Sequence, residues 1–182
     1  MKIILASNSP RRRELLKENG VDFTVIPSDF EEEENDGLTP EEYVEFLAKG
    51  KAQAVFEKNG GVVIGADTVV VLEGKILGKP KDEKEAFSML SSLSNKTHTV
   101  MTGYAVITSD KTVSGVEKTL VTFNELSPEL INAYVETGSP LDKAGAYGIQ
   151  DEALLVKEIV GDYDNVVGLP TFKILQILTE IQ

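Results

Sequence analysis

The chain has no cysteine and a single histidine, His98, among its 182 residues. The first absence removes disulfides, thiolate nucleophiles and cysteine-ligated zinc together, and it fits a reducing cytoplasm. The second leaves histidine-pair metal sites and Ser-His-Asp triads short of the residues they need. No apolar run approaches the roughly 18–20 residues of a membrane span. Met1-Lys2-Ile3-Ile4-Leu5 is too short for a signal-peptide core and runs into a polar loop. There is no internal repeat and no low-complexity tract. Neither GxxxxGK(S/T) nor GxGxxG occurs, so the familiar phosphate loops are missing. Basic residues are scarce too: 18 Lys and Arg stand against 30 Asp and Glu, a formal net charge of −12. That balance opposes general adhesion to nucleic acid or to anionic membranes. Any anionic ligand has to be met by a small, local group of cations.

What is present is ordinary in bulk. A 41% hydrophobic and 26% charged composition fits a soluble globular protein. The length suits one domain over residues 1–182, or two lobes sharing a core. Ile3 to Leu5 reads as a short buried strand. Ser9 as N-cap and Pro10 at N1 open a helix that stops near Asn19-Gly20. A strand over Phe23 to Ile26 leads into the acidic segment Asp29 to Asp36. Thr39-Pro40-Glu41-Glu42 opens a long helix ending near Asn59-Gly60. "VVIGADTVVVLEG" is the best strand in the chain, β-branched on both sides of a polar break at Asp67-Thr68. "ILGKP" reads as a loop. Asp82 and Glu85 have capping-box spacing before a helix with Ala86, Leu90 and Leu93 on one face. Strands are expected over 99–107 and 113–124, and a helix from Pro128 to Gly138. "LDKAGAYGIQ" reads as a glycine-punctuated loop, "ALLVKEIV" as a strand and "NVVGLP" as a loop. A last helix from Pro170 is expected to turn Phe172, Leu175, Leu178 and Ile181 inward. Strands and helices mix without strict alternation, which predicts a mixed sheet flanked by helices.

Several residues stand out against this background. Arg11, Arg12 and Arg13 open the first helix, where the backbone itself carries partial positive charge and unpaired N–H groups. The mismatch is about 0.3–1 kcal/mol for each exposed charge. A bound anion would reverse it, using the same backbone N–H groups with arginine donors added. The alternative is a solvated basic turn paired with the nearby "EEEE". Successive helical positions point about 100° apart, so at most two of the three arginines can converge on one ligand. Asp67 interrupts an apolar strand, which is costly unless the carboxylate is exposed, hydrogen-bonded or metal-bound. Such a group can hold Mg²⁺ against phosphate oxygens or accept a proton from water; it can equally satisfy loop N–H groups. Lys51 lies on the apolar stripe of Val44, Leu47, Ala48 and Val55, either snorkelling or reaching a ligand. Lys79 sits on a loop from which it could reach a phosphate or solvent. One member of Glu31 to Glu34 could ligate a metal in an otherwise solvated acidic run. His98 reads as structural, and Asp162 and Asp164 as an exposed acidic loop. Together the cations and carboxylates describe a phosphoanhydride site.

The stretches "LASNSPRRRELL", "IGADTVVVLEGKILGKP", "DKAGAYGIQ" and "GDYDNVVGLP" resemble, in order and over nearly the whole chain, the Maf family of nucleoside triphosphate pyrophosphatases. The resemblance implies a two-lobed α/β fold with a cleft, similar to inosine-triphosphatase-like proteins, and often a homodimer. It implies a cytoplasmic enzyme, dependent on Mg²⁺ or Mn²⁺, that cuts nucleoside triphosphates between the α- and β-phosphates to a monophosphate and diphosphate. The family's proton acceptor falls on Asp67. Its other functional carboxylate falls on Glu32, with the glutamate run leaving the match open by one position, and these two would hold the metal. The phosphate-binding set matches Ser7, Arg12, Lys51 and Lys79. The positions that separate family branches match Arg11, Thr68 and Gln150, and threonine with glutamine resembles the dTTP/UTP branch. The 7-methyl-GTP branch typically carries glutamine and glutamate there. An amide with donor and acceptor suits the O4/N3 edge of uracil or thymine. The chain departs from the family pattern at Asn95 in "LSNKTH", at Asp151 after the glutamine, and at the aspartates of "GDYDN".

The expected function is therefore hydrolysis of dTTP and UTP, with modified pyrimidine nucleotides such as 5-methyl-UTP as further substrates. The alternative is a nucleotide-binding regulator of septum formation, a role linked to members of this family, with little catalysis. A nucleic-acid partner using the arginine turn is the least favoured reading.

Overall fold

Local chemistry sets where most elements begin. The computed structural model describes residues 1–182 apart from the side chain of Glu152. Strand β1 covers Ile3–Leu5 and helix α1 covers Pro10–Glu18, with Ser9 Oγ accepting from the Arg12 N–H and Pro10 in the first turn. After β2 (Thr24–Val25), helix α2 (Pro40–Asn59) opens with a closed capping box. There Thr39 Oγ1 accepts from Glu42 N–H at 3.2 Å, and Glu42 Oε2 accepts from Thr39 N–H at 2.9 Å. Strands β3 (Val62–Leu72) and β4 (Lys75–Leu77) precede α3 (Glu83–Leu93). Asp82 caps α3 as expected, but Glu85 takes the N–H of Lys81 in place of that of Asp82. Long strands β5 (Thr97–Ile107) and β6 (Thr112–Phe123) lead to α4 (Pro128–Glu136). Strand β7 (Val156–Val160), α5 (Tyr163–Val167) and α6 (Thr171–Glu180) complete the chain.

The seven strands form one sheet in the order β2-β1-β3-β5-β6-β7, with β4 paired to β3. β1 runs parallel to both β2 and β3, whereas β3–β4 and β6–β7 are antiparallel. The expected mixed sheet is present. The chain divides into two compact units: Met1–Thr68, Thr102–Glu117 and Gly168–Gln182 form the first, and Val69–Met101 with Lys118–Val167 the second. None of the helices, among the described residues, is long and apolar enough to cross a membrane.

In the first unit the core joins Ile4 and Ala6 of the first strand and loop to Ala48, Ala52 and Val55 of α2, with Val63, Ala105 and Ile107 from the sheet. Small residues let α2 come unusually close. A Cβ at Gly103 would meet the Val44 carbonyl, and one at Gly65 the Ala48 carbonyl and Ala52. Both positions have to lack a side chain for α2 to lie where it does, and that placement carries Lys51 to β3.

The second unit centres on His98, Phe123 and Tyr147, whose rings meet edge to face with centroids 4.7 to 5.3 Å apart. His98 is structural, as expected: it is buried, its Nε2 lies 2.6 Å from the Tyr147 hydroxyl, and Nδ1 has no partner among the described residues. Burial pushes its pKa down to about 4. In the unfolded chain the same ring protonates at about 6.5. Between those values the unfolded state binds more protons, so stability falls as pH drops through the window. The loss is expected to reach about 2–3 kcal/mol between pH 7 and 4.5 from this ring alone. Urea unfolding of wild type and His98→Gln at both pH values checks it: the variant should lose that much less, and equal losses would contradict the assignment.

Several expectations need correction. Asp67 and Thr68 do not break the strand: β3 runs through them for eleven residues, because both side chains find partners. "ILGKP" contributes Ile76 and Leu77 to β4, and "LDKAGAYGIQ" winds through 3-10 turns at Ser139–Asp142, Ala144–Ala146 and Ile149–Leu154. The strand in "ALLVKEIV" begins only at Val156, and "NVVGLP" begins inside α5. Asp162 and Asp164 do not form an exposed loop: both are half-buried, Asp164 lies in α5, and Asp162 Oδ1 accepts from the Asp164 N–H at 2.9 Å and so caps that helix. In α6 the buried face is Thr171, Ile174, Ile177 and Leu178, while Phe172 is 72% exposed. Asn95 has φ 56°, a left-handed conformation that glycine and asparagine both accept, which accounts for asparagine at that point.

Candidate active site

Consecutive residues on a strand point to opposite faces, and β3 uses this at Asp67 and Thr68 to serve two separate groups. The Asp67 side is met by α2. Lys51 Nζ lies 2.6 Å from Asp67 Oδ1 and 2.6 Å from Glu32 Oε1. One ammonium thus joins two carboxylates that are 35 residues apart in the chain (67 − 32). The Lys51 and Asp67 side chains are 17% and 15% exposed and Glu32 is 49% exposed, so the cluster opens toward solvent on the glutamate side. Lys51 is therefore not a snorkelling residue: its head group is paired, on a helix face otherwise lined by Val44, Leu47, Ala48 and Val55.

The Thr68 side is met by α1. Arg12 sends Nε to the Gly168 carbonyl at 2.7 Å, Nη1 to Ser7 Oγ at 3.3 Å and Nη2 to Thr68 Oγ1 at 3.1 Å. Thr68 Oγ1 also lies 2.9 Å from Thr102 Oγ1. Gly168 has φ 139°, and only glycine adopts that conformation readily, so the carbonyl that receives Arg12 depends on it. A guanidinium has five N–H donors; three are engaged among the described residues, and two are not. Burial lowers the Arg12 pKa, and the charges of Asp67 and Glu32 push it back up, which places all three groups within one electrostatic neighbourhood. The three arginines diverge as the helix geometry requires. Arg12 turns inward, Arg13 is exposed with a contact to the Asn8 carbonyl at 3.5 Å, and Arg11 is half-buried.

The first unit thus gathers Ser7, Arg12, Glu32, Lys51, Asp67 and Thr68. Lys79 and Gln150 belong to the second unit, where both are exposed and their side chains make no hydrogen bond or ion pair among the described residues. Three contributors were not anticipated. Tyr43, two turns before Lys51, donates to the Glu33 carbonyl at 3.0 Å and ties the acidic segment to α2. Burial raises its pKa, and the charges of Glu32 and Asp67 add to the effect. Thr102 and the Gly168 carbonyl are the others. A tyrosine eight positions before a lysine on one helix is a readable signal; a carbonyl 156 residues from its arginine is not.

Among the described residues no three His, Asp or Glu side chains gather as a metal cage. The pair of Asp67 and Glu32, already drawn to one cationic point, does fit a hard divalent ion that takes one or two carboxylates and completes its shell with water and phosphate.

A family model described as Maf-like protein matches residues 2–181. A dTTP/UTP pyrophosphatase of Thermococcus gammatolerans is 54% identical over 169 residues, 92% of this chain and 90% of its own. A dTTP/UTP pyrophosphatase of Bacillus cereus is 52% identical over 181 residues, 98% of this chain and 95% of its own. The structure of a HAM1 protein from Coxiella burnetii matches with TM-score 0.54 and 15% identity, covering 99% of each chain, and bears out the expected α/β class with its mixed sheet. With the family model spanning all but the outermost residues and close relatives matching at full length, this chain belongs to the Maf family.

Proposed function

We propose that this protein hydrolyses dTTP and UTP between the α- and β-phosphates, releasing the nucleoside monophosphate and diphosphate. The observation that carries the proposal is the ammonium of Lys51 bridging Asp67 and Glu32, within the electrostatic reach of a half-buried arginine that, among the described residues, retains two donors. The names carried by the full-length relatives support the choice of substrate.

Asp67 is the proton acceptor. An oxygen already fixed by Lys51 is held in place and need not reorganise when water delivers its proton. Arg12, Ser7, Lys51 and Lys79 bind the triphosphate and offset charge that accumulates on the departing diphosphate. Asp67 and Glu32 would hold Mg²⁺ or Mn²⁺, which neutralises phosphate oxygens when bound. The Lys51 ammonium has three N–H donors; two go to the carboxylates, and the third is available to a phosphate without releasing Asp67. Arg11, Thr68 and Gln150 set selectivity. The triphosphate also resolves the conflict at α1, since its charge reverses the penalty of three arginines at a helix start.

A nucleotide panel with Mg²⁺ or Mn²⁺ tests the substrate assignment. We expect dTTP and UTP to be hydrolysed with kcat/KM about 10-fold or more above 7-methyl-GTP, a discrimination that polar contacts to a base edge readily supply. Preference for 7-methyl-GTP would overturn the selectivity assignment. Measurable binding of dTTP with no turnover would favour the regulator.

A further inference from the structure

Gln150 is exposed, and its amide has no hydrogen bond among the described residues, yet the turn that carries it is tied at both ends to one tyrosine. The Asp151 N–H donates to the Gly148 carbonyl at 3.0 Å, closing a four-residue turn with Ile149 and Gln150 at its centre. Ile149 is buried and anchors one central position; Gln150 projects from the other. The Tyr134 hydroxyl accepts from the Gly148 N–H at 3.1 Å and donates to Asp151 Oδ2 at 3.0 Å. Asp151 Oδ2 also accepts from Ser139 Oγ at 2.8 Å, and Ser139 Oγ in turn accepts from Lys143 Nζ at 3.1 Å. The carboxylate of Asp151 is thus directed back into its own unit, with a lysine behind it, and acts on the chain before and after Gln150.

A side chain that reads a base edge loses rotational freedom on binding, and the cost falls when its backbone is already fixed. We propose that Asp151 is a positioning residue for base recognition: with Tyr134 and Ser139 it holds the 148–151 turn so that the Gln150 amide is presented to the pyrimidine. This rests on Gln150 reading the base, as proposed above. Asp151 touches neither the phosphates nor the base, and it acts through Gln150.

The test separates base-dependent from phosphate-dependent affinity. For Asp151→Ala we expect KM for dTTP and UTP to rise about 3- to 10-fold, the scale of one or two lost hydrogen bonds, with kcat at saturation within about twofold. Inhibition by inorganic triphosphate, which has no base, should stay within about twofold of wild type. Asp151→Asn keeps an oxygen that accepts from Tyr134 and Ser139 and should restore most of the KM. In a Gln150→Ala background, Asp151→Ala should add nothing further. An unchanged KM in Asp151→Ala, or weaker triphosphate inhibition in step with it, overturns the positioning role. If Gln150→Ala itself leaves the KM for dTTP unchanged, it is the assignment of Gln150 that fails, and this proposal fails with it.

Discussion

Asp67→Asn is expected to lower turnover of dTTP by about 10²- to 10⁴-fold, the range that a positioned proton acceptor contributes. Nucleotide binding should persist. Asparagine has the same shape, keeps an oxygen for the Lys51 ammonium, and disturbs neither β3 nor α2. What it cannot do is hold the proton of the attacking water. The loss should therefore appear mainly in kcat, with KM changed less, because Arg12 and Ser7 are untouched and Lys51 keeps an oxygen to bond. Steady-state kinetics together with equilibrium dialysis of dTTP would separate the two. Turnover near that of wild type would remove Asp67 from its role.

Arg12→Lys is expected to be nearly as damaging, lowering kcat/KM by about 10²- to 10³-fold. The charge survives, but the fork does not. Arg12 reaches three oxygens in different directions, on Ser7, Thr68 and Gly168, and still has donors to spare. A lysine has one nitrogen and cannot span those sites while meeting a phosphate. Thermal unfolding should also show a lower midpoint, because these bonds join α1 to β3 and to the loop before α6. Arg13→Lys is the control. Arg13 is exposed and, among the described residues, its side chain makes only a marginal contact at 3.5 Å, so kcat/KM should move less than about twofold. Equal behaviour of the two variants would show that charge alone matters at this turn.

The parts of this molecule that were legible in its sequence are those decided by nearby residues. Ser9-Pro10, Thr39 with Glu42 and Pro128 each carry their own helix-start chemistry, and all three helices start where those residues place them. Asp67 and Lys51 were conspicuous because each put a charge where an apolar stripe predicted none. Which arginine of three would turn inward was not readable. That choice depends on the Gly168 carbonyl and on Thr68, both far away in the chain. The inner face of α6 differs from the one its sequence suggests for a related reason. Phe172, Leu175, Leu178 and Ile181 make a plausible helical stripe, and so do Ile174, Ile177 and Leu178. Only packing against the rest of the first unit selects the second. The supposed break in β3 failed because an isolated strand gives no sign that Lys51 and Arg12 will satisfy its polar residues. Asp162 showed its charge in the sequence but not the N–H group it caps.

Phosphorus NMR of dTTP and UTP incubated with the protein and Mg²⁺ or Mn²⁺, with Asp67→Asn run alongside, tests the proposed chemistry most directly. The expected products are the nucleoside monophosphate and diphosphate in equal amounts, with the variant silent on the same timescale. Orthophosphate with the nucleoside diphosphate would place the cut at the terminal phosphate and contradict it.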